Sequence, residues 1–188
     1  MAQESPDPRQ QVVDAADALF YARGIHAVGM DDVRTASGVS LKRMYSMFPG
    51  KDRLVLAVLR KRHAMWTDGL TAAVAAVDDP RAKLLAVYDY LAEWFAEAAF
   101  RGCGFINAFG ELGPTTPEVA EYAREHKRSF QQQLASLVAE AGVDPALAPQ
   151  LAILAEGAQT TAAIEGSPEA AQHARRAAET LIDAAAST

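Results

Sequence analysis

At Asp7-Pro8, Asp79-Pro80, Thr116-Pro117, Asp144-Pro145 and Ser167-Pro168 a side chain able to cap a helix stands directly before a proline. Proline at the first position of a helix loses nothing, because that N–H has no acceptor within the helix, and its fixed φ already suits the helix. Glycines follow as stops at Gly24, Gly38, Gly113, Gly142 and Gly166. Starts and stops of this kind leave room for helices and little else. The punctuation predicts helices over about 8–23, 51–77, 80–100, 103–112, 117–141, 145 or 149 to 165, and 168–186, with two short ones between Gly29 and Phe48. No stretch alternates like a strand and no repeat is present, so the chain reads as all-α with about nine helices.

Apolar side chains recur at helical spacing within these segments. Val12, Ala15, Ala16, Leu19 and Phe20 form the first stripe, and Leu54, Val58, Met65, Trp66, Leu70 and Val74 run along the fourth helix. The fifth carries Leu84, Leu85, Tyr88, Leu91, Trp94 and Phe95, the sixth Phe105, Phe109 and Leu112, and the seventh Val119, Tyr122, His126, Phe130, Leu134 and Leu137. The last two helices are alanine-rich, with Leu151, Leu154, Ala158, Ala162, Leu181 and Ile182 apolar, and small side chains allow close helix contact.

Residues 29–52 read as two short helices joined by a tight turn. Met30, Val33 and Ala36 are expected on the inner face of the first, Gly38 closes it in a left-handed conformation, and Ser40 caps the second. Met44 and Phe48, four apart, point inward, and Pro49-Gly50 ends the pair. Leu41, Lys42, Arg43, Tyr45 and Ser46 then remain on the front and flanks of the second helix. A helical pair with a short Gly-containing turn is a helix-turn-helix, whose second helix enters the DNA major groove. There Lys42 and Arg43 can donate to phosphate or to guanine O6 and N7, and Leu41 can touch a thymine methyl. Ser40, Tyr45 and Lys51 can donate to phosphate, and Arg34 adds charge beside them.

The stretch resembles the DNA-binding head of the tetracycline-repressor (TetR/AcrR) family at Ala16, Phe20, Gly24, Val33, Gly38-Val39-Ser40, Tyr45, Phe48, Lys51 and Leu54. It departs from the family at Gly29, usually Ser or Thr, at Arg34, usually Ala, and at Lys42-Arg43, usually Gly-Thr. The resemblance implies a head over 6–64, with the helix-turn-helix at about 29–48, and a ligand-binding and dimerisation body over 65–188. It further implies double-stranded operator DNA, a small-molecule effector and a second copy of the chain as partners.

The overall charge of −6 is unusual for a DNA binder, but it is unevenly distributed. Residues 1–64 hold ten Lys/Arg and seven Asp/Glu (10 − 7 = +3), and residues 65–188 hold eight and seventeen (8 − 17 = −9). A mildly basic head on an acidic body suits local phosphate contact. The run Arg60-Lys61-Arg62 reads as a solvated face or a salt-bridge set rather than a DNA contact. The lone Cys103 excludes an internal disulfide framework and suits a reducing compartment. Met1–Pro6 lacks the basic start and apolar run of a leader, and no twenty-residue apolar stretch lacks charge, so a cytoplasmic protein without a membrane span is expected.

Aromatic residues crowd the predicted inner faces: Trp66, Tyr88, Trp94, Phe95, Phe105, Phe109 and Tyr122, with Asn107, Glu111 and His126 as polar companions. They are the candidate effector pocket, although some must simply be core. His126 is either a hydrogen-bonded core histidine or a pocket residue; Cys103 is either a packed thiol or, near Arg101 and a helix start, an activated one. The dimer face is expected on Leu151, Leu154, Ala158, Ala162, Leu181 and Ile182. No motif of a hydrolase, nucleotide-binding loop or metal site is present, so neither catalytic residues nor a cofactor or metal is expected. Two readings stand: a homodimeric, ligand-responsive transcriptional regulator, most naturally a repressor, or an all-α small-molecule-binding protein or enzyme whose head no longer binds DNA.

Overall fold

The computed structural model describes residues 7–186; the Met1–Pro6 segment, read above as no leader and containing the expected first residue of the head, lies outside them. Among the described residues there are nine helices and no strand. They are α1 (Pro8–Arg23), α2 (Met30–Ser37), α3 (Leu41–Met47), α4 (Lys51–Ala75), α5 (Pro80–Phe95), α6 (Gly104–Leu112), α7 (Pro117–Glu140), α8 (Leu147–Glu165) and α9 (Glu169–Ala186). None is long and apolar enough to cross a membrane.

The cap-proline starts work as expected at α1 and α5, where Asp7 accepts from the Arg9 N–H and Asp79 from the Ala82 N–H. At Asp144-Pro145 they do not. The Asp144 carboxylate is spent on the Ala146 N–H at 2.9 Å, forming a turn, and α8 begins only at Leu147. Helix α5 ends at Phe95, short of the expected 100, and α4 at Ala75.

The chain divides into two compact units. The first holds α1–α3, α4 as far as His63, and Gly104–Ala123; the second holds Ala64–Cys103 and the chain from Arg124 onward. In the first unit, Val12, Ala16, Phe20, Ile25, Val28, Val33, Met44, Phe48 and Leu54 are buried. Helices of eight and seven residues are too short to persist alone, where about 12–15 residues are marginal. Burial of Met44 and Phe48, each contributing about 1.5–3 kcal/mol, holds α3 in place. Ala36 does not join this core. It is exposed, because in so short a helix Val33 alone meets the neighbours fully while Met30 is half-buried.

Charge ties α1 to α4 inside this unit. The buried carboxylate of Asp17 accepts from Lys61 Nζ at 2.9 Å and from Arg62 Nε, and Lys61 also reaches Asp14 at 2.7 Å. The Arg62 guanidinium lies 3.6 Å from the Tyr21 ring centroid and that of Arg60 5.9 Å from Tyr122. The basic run is therefore a salt-bridge and ring-stacking set.

The second unit has one apolar core, drawn from α5, α7, α8, α9 and Leu70 of α4. Leu84, Tyr88, Leu91, Leu134, Leu151 and Ile182 are almost wholly removed from solvent. The Tyr88 hydroxyl donates to the Leu151 carbonyl at 2.8 Å, and burial pushes its pKa well above the ordinary value. Met65, expected on the inner stripe of α4, is exposed instead.

Candidate nucleic-acid interface

The turn between α2 and α3 is built as its residues require. Gly29 precedes α2 in extended backbone, and its N–H donates to the Asp32 carboxylate at 2.8 Å. Asp31 and Asp32 lie in the first turn, where negative charge suits the positive end of the helix. Gly38 closes α2 with φ of 71°, the left-handed region that glycine enters at least cost. Val39 is buried, and Ser40 Oγ accepts the Arg43 N–H at 3.4 Å to cap α3.

With Met44 and Phe48 inward, α3 turns Lys42, Arg43, Tyr45 and Ser46 outward; all are exposed, and Tyr45 keeps 48% of its surface. Leu41 is half-buried at the edge of this face. Lys42 and Arg43 have no ion pair among the described residues, so their charge is available to a phosphate or a guanine edge. Arg34 is less free, because its Nε donates to Asp31 at 3.2 Å. The half-buried Lys51 begins α4 with its ammonium 5.9 Å from the Phe20 ring centroid. Arg9 carries no mark in the sequence that sets it apart from a solvated surface residue. It stacks 4.4 Å above the Phe48 ring centroid and donates to the Met47 carbonyl at 3.3 Å, bracing the end of α3 against α1.

Glu111 of α6 has a defined structural role. Its carboxylate accepts the Ile25 N–H at 2.9 Å and the His26 N–H at 2.7 Å, and lies 3.2 Å from His26 Nδ1. Partial burial opposes its charge, but the His26 and Ile25 N–H donors, followed by the attraction of His26, outweigh that cost and hold the pKa below the ordinary value. A carboxyl with a lowered folded pKa adds stability that is present above its unfolded value and fades as the pH falls through the folded one. Glu111→Ala should therefore destabilise the first unit by about 1–3 kcal/mol near neutrality, since it strands two backbone donors. The deficit, read by urea denaturation, should shrink as the pH falls through the lowered folded value, where the wild-type carboxyl becomes protonated too.

The residues expected around an effector fall in both units. Phe105, Asn107, Phe109, Glu111 and Tyr122 belong to the first. Phe105 is buried there against His63 and Tyr122, whereas Phe109 and Asn107 are exposed. A crevice of about 30 Å³ lined by Phe20, Arg62, Asn107 and Glu111, among others, has room for a water but not an effector. Trp66, Tyr88, Trp94, Phe95 and His126 belong to the second unit. Tyr88 and Phe95 are core, while Trp66 and Trp94 are half-buried and meet at 5.6 Å between ring centroids. Tyr90 and Phe130 complete the ring cluster around Trp66, together with the buried His126. Tyr90 had a signal in the sequence, since it lies four residues before Trp94 and so shares its face of α5.

Four of the residues expected at a dimer contact, Leu151, Ala158, Ala162 and Ile182, are buried within the second unit. Most of their apolar surface is covered inside the chain, and of the four only Ala158 also borders the open groove along α8 and α9. Leu154 and Leu181 are only partly covered, and Ile153 and Ile164 stand out at 71% and 79% exposed. Cys103 is buried, with Lys127 Nζ 3.9 Å from its sulfur.

The chain matches two family models: residues 12–58 that of "Bacterial regulatory proteins, tetR family", and residues 80–178 that of "Tetracyclin repressor-like, C-terminal domain". It is 34% identical over 112 residues to the HTH-type transcriptional activator FasR of Mycolicibacterium smegmatis, across 60% of this chain and 50% of that protein. The chain spans about half the length of the first curated relatives it matches. A TetR-family transcriptional regulator from Streptomyces coelicolor superposes with a TM-score of 0.87 at 27% identity, covering 95% of both chains. A TetR transcriptional regulator from Chloroflexus aurantiacus shares the fold at 24% identity, with a TM-score of 0.81 over 94% of each chain.

Proposed function

Because the chain belongs to the TetR family of bacterial transcriptional regulators, we propose that it is a cytoplasmic, ligand-responsive homodimer that represses transcription and leaves its operator when a small, largely apolar effector binds. The observation that carries the DNA-binding part is the face of α3, where Lys42 and Arg43 stand exposed, with no ion pair among the described residues, beside Tyr45 on a helix fixed by Met44 and Phe48. The role of the relatives speaks for regulation over an enzyme with an idle head.

One head contacts one half-site, so a two-fold dimer is needed to hold two heads about 34–36 Å apart, or a multiple of that. The outer faces of α8 and α9 support this assembly. Ile153, Leu154, Gly157 and Ala158 of α8 and Ala170, Ala174 and Ala177 of α9 line an open groove, a shape suited to close helix packing by a second copy. The effector is assigned to the aromatic region of the second unit. Helices α4 and α7 each run unbroken from one unit into the other, which supplies a covalent route for coupling. Coupling is reciprocal: the effector must weaken operator binding by the factor by which operator weakens effector binding.

The test is the oligomeric state and its link to DNA. In solution scattering at micromolar concentration the protein should be a dimer. Ile153→Asp, which places a charge on the groove, should give folded monomers whose operator affinity falls at least about tenfold for want of the second half-site. A wild-type protein that stays monomeric, or an Ile153→Asp monomer that binds operator as well as wild type, overturns the dimer.

A further inference from the structure

Trp66 sits at the centre of an aromatic cluster inside the second unit. Tyr90, Trp94, His126 and Phe130 surround it with centroid separations of 5.5, 5.6, 6.2 and 5.4 Å and interplanar angles of 63–81°. Such edge-to-face packing is favourable for the rings. It does nothing for the indole N–H. Trp66 Nε1 is cut off from solvent and has no acceptor among the described residues; no other buried side-chain nitrogen or oxygen of theirs is in that position. A buried donor normally finds a partner, and leaving one unpaired costs more than a hydrogen bond returns.

The surroundings indicate what the missing acceptor belongs to. Tyr90 and Trp94, both on α5, are half-buried and so can turn outward to admit an occupant, whereas His126 and Phe130 are fixed in the core. Tyr90 is seated on a notch at Gly69, where a methyl group would lie 2.5 Å from its hydroxyl. The groups around the N–H are aromatic rings, whose faces and edges suit a flat aromatic body. A cation would be attracted by the ring faces but offers the N–H nothing to donate to. An anion would accept the bond, yet its charge would be buried without a partner, and the Glu97 carboxylate acts close enough to Tyr90 to raise its pKa after burial has done so.

We infer that the Trp66 indole N–H is the anchoring donor of a site for a neutral, planar aromatic compound bearing a carbonyl or comparable oxygen acceptor, held among Trp66, Tyr90, Trp94, His126 and Phe130. This deepens the effector assignment and rests on it for its regulatory meaning, but the binding itself is a property of the protein without DNA.

Four naphthalene probes of similar size test it on the full chain: 2-acetonaphthone, 2-ethylnaphthalene, 2-naphthoate and (2-naphthylmethyl)trimethylammonium. Affinities are measured by titration, and the indole N–H resonances, of which the chain has two, are assigned with Trp66→Phe and followed by NMR. The ketone should bind about tenfold more tightly than the ethyl compound, and more tightly than either charged probe, because only it satisfies the donor at no charge cost. It alone among the neutral probes should shift the Trp66 indole proton downfield. In Trp66→Phe the ketone should lose its advantage over the ethyl compound. Should that variant misfold, Gly69→Ala serves in its place: it displaces the Tyr90 ring from its seat and should change the affinity for the ketone several-fold. Equal affinity for ketone and ethyl compound, preference for a charged probe, an advantage that survives Trp66→Phe, an unmoved affinity in Gly69→Ala, or failure of every probe to bind overturns the inference. DNA retention measured on the same preparation separates the two readings. Probe failure with DNA retained refutes this site alone, and loss of DNA binding with the ketone result intact refutes the regulatory reading.

Discussion

Replacing Lys42 and Arg43 together with alanine should reduce affinity for the operator at least about a hundredfold, since a base-reading cation contributes about 1–3 kcal/mol of discrimination. Both side chains are exposed on α3 and neither is committed to an ion pair among the described residues, so the loss falls on DNA and not on folding. Circular dichroism and the unfolding midpoint should be unchanged. The single variants separate the roles. A residue that reads a base relaxes sequence preference when removed, while one that neutralises a phosphate weakens all sequences alike and lowers the salt slope by about 0.9. Lys51→Ala should behave in the second way. Arg34→Ala should matter less than either, because the Arg34 guanidinium is held by Asp31. Competition gel shifts at several salt concentrations read all of these.

The largest effect on stability is expected at Asp17. Asp17→Ala should cost about 3 kcal/mol, because breaking a buried ion pair from one side leaves uncompensated charge, here on Lys61 and Arg62. Both cations keep some exposure and can reach water, which holds the cost at the low end of the usual range. The variant should shift the urea midpoint without a large change in slope. The cluster is stable over the neutral range on both sides. The Lys61 hydrogen bond is the main influence on Asp14 and lowers its pKa below 3.8, so that contribution is lost only as the pH falls through this lowered value. For Lys61, burial opposes the charge, but Asp14 and Asp17 outweigh it and raise the pKa above 10.5, so its contribution is lost only as the pH rises beyond that. An Asp17→Ala protein as stable as wild type would show that α1 and α4 are held by their apolar faces alone.

Local chemistry was legible in the sequence wherever a residue acts on its near neighbours. Asp7, Asp79 and Ser40 cap as their types suggest, and Gly38 takes the left-handed turn. Met44 and Phe48 point inward because their spacing of four fixes a shared face. What periodicity cannot supply is the identity of the neighbour each face meets. Helix α8 is apolar nearly all round, so the pattern offered no means of telling Leu151 and Ala162, which are core, from Ile153 and Ile164, which are exposed. Tyr88 is expected among the pocket aromatics, yet its hydroxyl is committed to the Leu151 carbonyl; Tyr90, two positions on, borders the Trp66 cluster. Glu111 stands in the sequence as a polar companion of the candidate pocket. Its partners, the N–H groups of Ile25 and His26, lie more than eighty residues away and leave no local trace. Asp17 is similar: its position on α1 is plain, but burial against Lys61 and Arg62 is a tertiary fact.

Selection of genomic DNA fragments from the source organism on the purified full-length protein tests the central claim most directly. The recovered fragments should share a pair of two-fold-related half-sites whose centres lie about 34–36 Å apart, or a multiple of that, and the Lys42/Arg43 double-alanine protein should recover none of them above background. Fragments indistinguishable from the input pool, or the same fragments recovered equally well by the double-alanine protein, would contradict it.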